Sequence, residues 1–148
     1  AMISFDAAHA AVARLARPRE REAIALDTAL GRVLASPVAA RVDAPRADCA
    51  TMDGYAVRRA DLPGRLKVAG RSLPGQGPVE GLQPGCAVRI FTGAPLPAGA
   101  DTIVIQEQAV RDGDEVTLPP AGMPDYIRRR GSDFRAGDEV LAGGYLLT

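Results

Sequence analysis

Hydrophobic and polar positions change their rhythm once along this chain, near residue 46. Before it, Phe5, Ala8, Val12 and Leu15 recur at helical spacing, so a helix is expected from a Ser4 cap to about Ala16. The Ser4 hydroxyl can accept from the first free backbone N–H groups, and Asp6 lies in the first turn, where the helix dipole favours an acid. Arg14 and Arg17 suit the last turn, and Pro18 stops it. Residues 22–26 read as a short strand. Asp27 can cap a second, short helix over 28–30 that Gly31 ends. Residues 33–35 and 38–42 read as extended, with a break at Pro37.

From Arg46 the helical period disappears. Short strand patterns take its place at 55–57, 65–69, 87–90, 102–106, 109–111, 115–118 and 126–129. Turn signals separate them: Pro63-Gly64, Pro74-Gly75, Pro84-Gly85, Asp112-Gly113 and Pro119-Pro120. Residues 110–116 read as a hairpin with Asp-Gly at its tip. The tail, 138–141 and 145–147 around Gly143-Gly144, reads as another hairpin that returns to the helical part. The expected fold is mainly β with an N-terminal helix. It has two lobes: residues 2–45 and 126–148 form a smaller α+β outer lobe, and 46–125 an inserted, bent-sheet or barrel-like domain.

Composition narrows the function classes. In 148 residues, 47% apolar content allows a packed core, while 4% aromatic content without Trp argues against a base-stacking platform. Net charge is zero, from 18 basic and 18 acidic residues, which argues against a general binder of nucleic acid or membrane surfaces. Gly (16) and Pro (12) lie among apolar runs and mark turns rather than disorder. Cys49 and Cys86 match no metal spacing, so free thiols in a reducing cytoplasm are expected. The N-terminus lacks a basic region followed by a long apolar run, and no window is apolar enough to span a bilayer.

Three constellations could carry chemistry. The first is Asp53, inside Ala50-Thr51-Met52-Asp53-Gly54-Tyr55-Ala56. An Asp before Gly is ordinarily a turn or cap residue. It could also hold or polarise a metal, because Mg²⁺ commonly takes one or two carboxylates and completes its shell with ligand phosphates. The second is the run from Arg89 to Asp101, where an apolar strand enters Thr92-Gly93 and two prolines stiffen the exit. It reads either as an ordinary strand-to-turn link or as an oxyanion loop, with the Thr92 hydroxyl as donor and Gly93 allowing close backbone approach. The third is Arg128-Arg129-Arg130-Gly131-Ser132-Asp133. Its arginines suit phosphate, whose oxygens the guanidinium fork can bind in pairs, but they also suit a solvated edge with Asp133 as partner. His9 is the single histidine and reads as a surface residue, so no catalytic triad is available. No glycine-rich phosphate loop follows a strand and opens a helix.

Taken together, the three constellations resemble the N-terminal region of the molybdopterin molybdenumtransferase family, of bacterial MoeA and gephyrin E-domain type. Leu30-Gly31-Arg32-Val33-Leu34-Ala35 and Val68-Ala69-Gly70 are similar to it as well. The likeness covers nearly the whole chain. Departures are Ala50-Thr51, where a small polar residue precedes the Met-Asp pair, and Arg46-Ala47, where an aromatic is usual.

The resemblance implies an enzyme that inserts molybdate into adenylylated molybdopterin with Mg²⁺, releasing AMP. It implies a homodimer and further C-terminal domains, one of them an α/β domain that binds the pterin. The cleft lies between that domain of one subunit and the strand-rich domain of the other, so this stretch alone is expected to be inactive. Asp53 and Thr92 match the family's active-site aspartate and threonine, with Asp53 also the candidate metal ligand. Gly54, Gly93, Arg128 and Asp133 are the expected substrate-binding or supporting residues. Two other classes compete on the residues alone: a dimerisation or scaffold module, and an oxyanion-binding module.

Overall fold

The computed structural model describes residues 2–17, 19–77 and 80–148. It divides into two compact units, Ala1–Val38 with Leu141–Thr148, and Ala39–Val140.

In the smaller unit the first helix, α1, spans Phe5–Leu15. Ser4 caps it by accepting from the Ala7 N–H at 3.2 Å, and Asp6 and Arg14 occupy the expected turns. Pro18 lies outside the described residues. No residue of α1 is buried, and Phe5, Val12 and Leu15 remain 83%, 67% and 79% exposed. Two local expectations fail here. Residues 22–26 form no strand, and the short helix is a 3₁₀ turn at Leu26–Thr28 with no side-chain cap, so Asp27 lies inside it rather than before it.

The tail is not a hairpin closed on itself. Val33 bridges Leu146, and Leu34 N–H bonds Tyr145 C=O at 2.9 Å, so residues 145–147 pair with 31–34. The other arm, Glu139–Leu141, pairs with Val38–Ala39. The division between units also falls elsewhere than the sequence pattern implies. Residues 39–45 and 126–140 pack with the larger unit, because Ala44 bridges Phe134 and Ile127–Arg128 pairs with Cys49–Ala50.

The strands, in chain order, are β1 (Val38–Ala39), β2 (Cys49–Ala50), β3 (Gly54–Val57), β4 (Gly64–Ser72), β5 (Cys86–Ile90), β6 (Thr102–Ile105), β7 (Val110–Asp112), β8 (Glu115–Leu118), β9 (Ile127–Arg128) and β10 (Glu139–Leu141). Six of them make one curled, half-barrel sheet in the order β6-β3-β5-β4-β8-β7, in which only β4 and β5 run parallel. β7 and β8 form the expected hairpin. Its two turn residues are Gly113 and Asp114, and Gly113 takes the positive φ of 58° that the turn requires.

The sheet is apolar on both sides where it matters. One face gathers Tyr55, Val57, Leu66, Ala87, Val104, Val116 and Leu118. The other gathers Ala50, Ala56, Ile90, Ala94 and Ile103. β3 lies between β5 and β6 and contributes to both cores, so all four of its residues are buried and its sequence shows no alternation. Full burial of Ile90 or Val57 contributes roughly 2 kcal/mol each. This two-sided core is what Asp53, one residue before β3, is attached to.

Candidate functional site

β2 organises the site, although the sequence pattern did not mark it as a strand. Ala50 N–H donates to Ala94 C=O at 2.9 Å, and Gly93 N–H donates to Ala50 C=O at 2.8 Å, so one edge of β2 holds the 92–95 loop. The other edge pairs Cys49 with Arg128 and Ala50 with Ile127. Two of the three candidate segments are thereby bound to one two-residue strand. The third, Asp53, follows it closely in the chain.

Asp53 and Thr92 meet. The Thr92 N–H and the Thr92 hydroxyl both donate to Asp53 Oδ1, each at 2.8 Å. These two bonds, the backbone one foremost, hold the carboxyl below the usual carboxylate range, and the positive charge of Arg89 adds to the effect. Asp53 is half-buried and Thr92 exposed. Asp53 Oδ2 accepts nothing from the described residues.

The geometry reassigns Thr92. An ionised carboxylate only accepts, so the single hydroxyl proton of Thr92 is committed to Asp53. The backbone donors of the loop are committed as well: Thr92 to Asp53, Gly93 to Ala50 and Ala94 to Phe91. In this arrangement both Thr92 donors are on Asp53 rather than open to an outside oxyanion.

The two glycines also divide. Gly93 takes φ of 82° on an exposed turn, a conformation that favours glycine. Gly54 is buried within the sheet, where a Cβ would lie 2.2 Å from the Val104 carbonyl oxygen. Gly54 thus permits the close packing of β3 against β6.

Arg128 and Asp133 meet each other and not Asp53. Arg128 Nη2 lies 2.6 Å from both oxygens of Asp133, and this bond chiefly lowers the Asp133 carboxyl below its usual range. The neighbouring arginines are likewise closed off. Arg129 pairs with Asp48 and Asp125, and Arg130 pairs with Asp43, whose other oxygen accepts from Ala136 N–H at 2.8 Å. The triple arginine is an internal brace of ion pairs among loops. Cys49, opposite Arg128, is half-buried and donates to Ala47 C=O at 3.2 Å; burial pushes its thiol up and away from reactivity.

The sequence reading missed Arg89 as a separate contributor. Its guanidinium lies 5.3 Å from the Tyr55 ring and 4.5 Å from the Phe91 ring. Nη1 donates to Gly54 C=O at 2.8 Å, and Nη2 donates to the Gln106 side chain. Gln106 N–H in turn donates to Asp53 C=O at 3.1 Å. Arg89 thus fastens both backbone neighbours of the Asp53 turn. The only signal for it in sequence was a charged residue at an otherwise apolar strand position.

Magnesium fits this site only as a shared ion. Among the described residues no group of three or more His, Cys, Asp or Glu side chains could hold a metal. Asp53 Oδ2 is a single anionic oxygen on a fixed carboxylate. That donor set suits a hard cation that takes one protein oxygen and completes its shell from ligand oxygens and water.

A strand-rich module with one fixed, half-buried carboxylate between two loops is the class that fold and site define. A family model described as MoeA N-terminal region (domain I and II) matches residues 3–148. The chain belongs to that family. It is 38% identical over 140 residues to the molybdopterin molybdenumtransferase of Nostoc sp., covering 88% of this chain and 32% of that protein. It is 37% identical over 152 residues to the protein of the same name from Haemophilus influenzae, covering 99% and 38%. A crystal structure of the molybdopterin biosynthesis MoeA protein from Pyrococcus horikoshii OT3 superposes with a TM-score of 0.77 at 33% identity, over 86% of this chain and 36% of that one. The chain thus spans about a third of the length of these relatives.

Proposed function

We propose that this chain is the N-terminal region of an enzyme of molybdenum cofactor biosynthesis, one that inserts molybdate into adenylylated molybdopterin and releases AMP. The observation that carries the reading is Asp53: an ionised carboxylate with one oxygen on Thr92 and the other without a partner among the described residues. The names of the relatives supply the reaction class.

In this reading Asp53 Oδ2 would hold Mg²⁺ together with oxygens of the ligand. Bound there, the ion would offset negative charge on phosphoryl oxygens. Thr92 keeps Asp53 deprotonated and fixes its rotamer, so no reorganisation is needed as the ligand arrives. Arg89 contributes positive charge beside the carboxylate and anchors its backbone. The Arg128–Asp133 pair sets the loop opposite β2 and supports the site without touching the reacting atoms. The pterin-binding wall belongs to a further domain of a homodimeric, cytoplasmic enzyme, and this stretch alone is inert. Dimerisation through the smaller unit is supported by the uncovered apolar face of α1.

The decisive experiment is Asp53→Ala in the full-length protein, assayed for AMP release and cofactor formation. The expected loss is at least about a hundredfold, and undiminished synthesis sinks the assignment. A stand-alone oxyanion-binding module is the weaker reading, because the N–H groups of residues 92–94 are all engaged.

A further inference from the structure

The face of the half-barrel that carries Tyr55, Leu66 and Ala87 ends in a recess of about 490 Å³ lined by Val68, Gly70, Arg71, Arg89, Phe91 and Arg111. Three of these six are arginines, and none is acidic. Arg71 and Arg89 are direct cross-strand partners on β4 and β5. Like charges placed opposite each other on a sheet repel, and sheets ordinarily avoid them. The shift of register between Val68 and Gly70 is what brings Arg71 into line with Arg89.

Among the described residues no carboxylate forms an ion pair with any of the three, and Asp53 answers the charge of Arg89 only at a distance. Arg89 donates to Gly54 C=O, Ile90 C=O and Gln106, all neutral. Arg111 donates through Nε to Gly113 C=O at 2.9 Å, which leaves its terminal nitrogens available. Arg71 makes no hydrogen bond to a described residue. The contrast with the 128–130 cluster is direct, since each of those arginines has an aspartate. Arg89 is also held by the Tyr55 and Phe91 rings, so its donors are oriented before any ligand arrives. Gly70 adds no side chain, and a Cβ there would meet nothing within 4 Å, which keeps that side of the recess open.

We propose that this recess is a binding site for a di- or triphosphate group, inorganic or carried by a nucleotide. Arginine forks match pairs of phosphoryl oxygens, and three of them suit a ligand with several charges. The volume would hold roughly sixteen waters at about 30 Å³ each, well beyond what one tetrahedral oxyanion displaces. The inference does not rest on the transferase reading, because binding is read on this chain without turnover.

The test is titration of the 148-residue chain with inorganic pyrophosphate, ATP and sulfate, by calorimetry and by amide chemical shifts. Saturable one-to-one binding of pyrophosphate or ATP is expected, with shifts at Gly70, Arg71 and Phe91 and much weaker binding of sulfate. Equal affinities would assign an inorganic ligand, and tighter ATP a nucleotide. Arg71→Ala and Arg111→Ala, both at exposed positions, should each weaken binding about tenfold. The control Arg41→Ala/Arg46→Ala, at the separate recess beside Asp43, should leave it unchanged. Absence of saturation overturns the proposal. So does sulfate competing on equal terms, or binding that survives Arg71→Ala/Arg111→Ala with the amide spectrum intact.

Discussion

Asp53 and Asp133 belong to loops joined through the same short strand, β2, yet different chemistry holds them. Asp133 is exposed and has both oxygens on the Arg128 guanidinium. Its charge is answered inside the protein. Asp53 is held on one oxygen by a hydroxyl and an amide, both neutral, and its charge is answered only at a distance by Arg89. Neutral donors fix a carboxylate and keep it ionised without cancelling it. A carboxylate so held can still attract a cation from outside, and a closed ion pair cannot. The same distinction separates the braced arginines 128–130 from Arg71, Arg89 and Arg111, which form no ion pair with a described residue.

Their foundations differ too, and the largest expected effect lies there. Gly54→Ala should cost at least about 2 kcal/mol in urea unfolding, since the new Cβ would meet the Val104 carbonyl inside the sheet. Gly131→Ala, beside Asp133, meets chiefly the flexible Arg135 side chain and a positive φ of 68°, at about 1 kcal/mol. Equal costs would contradict the claim that Asp53 has the stiffer support.

Activity should separate the two next. In the full-length protein, Asp53→Asn should lower AMP release about a hundredfold, as removal of a preorganised electrostatic group does. Asp133→Asn should lower it less than about tenfold, as the loss of a supporting contact. If both fall together, the brace is part of the reacting site.

A smaller effect concerns Thr92. Thr92→Val removes the hydroxyl and leaves the N–H, so the Asp53 titration followed by carbon NMR should move up toward the ordinary range, though not all the way. Thr92→Ser should leave it in place, and the Asp133 titration should move in neither variant. An unmoved Asp53 in Thr92→Val would mean that the hydroxyl bond is not formed in solution.

The smallest effect is a pH and salt dependence of stability. Both carboxyls are lowered in the folded state, and the unfolded chain takes up protons near pH 4, at about 3.9 for Asp. Below that pH the unfolded state binds more protons, so stability falls as pH falls. The two contributions are fully present above about pH 5 and disappear once the folded-state carboxyls protonate. Asp133 relies on a charged partner at the surface, so its share should weaken in high salt, while that of Asp53 should persist. Urea midpoints between about pH 5 and about pH 2.5 check this, with Asp133→Asn losing the salt-sensitive part.

Much of the fold was legible because its signals are local. The Ser4 cap, the Asp6 and Arg14 placements, the seven strand patterns after Arg46 and the turn at Gly113 each depend on residues a few positions apart. β2 was not legible, because two residues hold no period and their strand character comes wholly from partners at 94–95 and 127–128. The tail was legible in part. Its return to the helical part holds, because 145–147 pair with 31–34, but the hairpin that Gly143-Gly144 permits is not closed on itself.

By itself the sequence determined the kind of protein this is: the mainly β class, the N-terminal helix, and the identity of the acid, the threonine and the arginines that any site must use. Which of them meet was decided by tertiary structure. Asp53 and Thr92 are 39 residues apart and touch because β3 and β5 are neighbours in one register. Arg128 meets Asp133, five residues on, and Arg89 meets two rings without an ion pair to a described acid. A donor accepts any suitable acceptor within reach, and reach is fixed by strand order and register, which no local run of residues encodes.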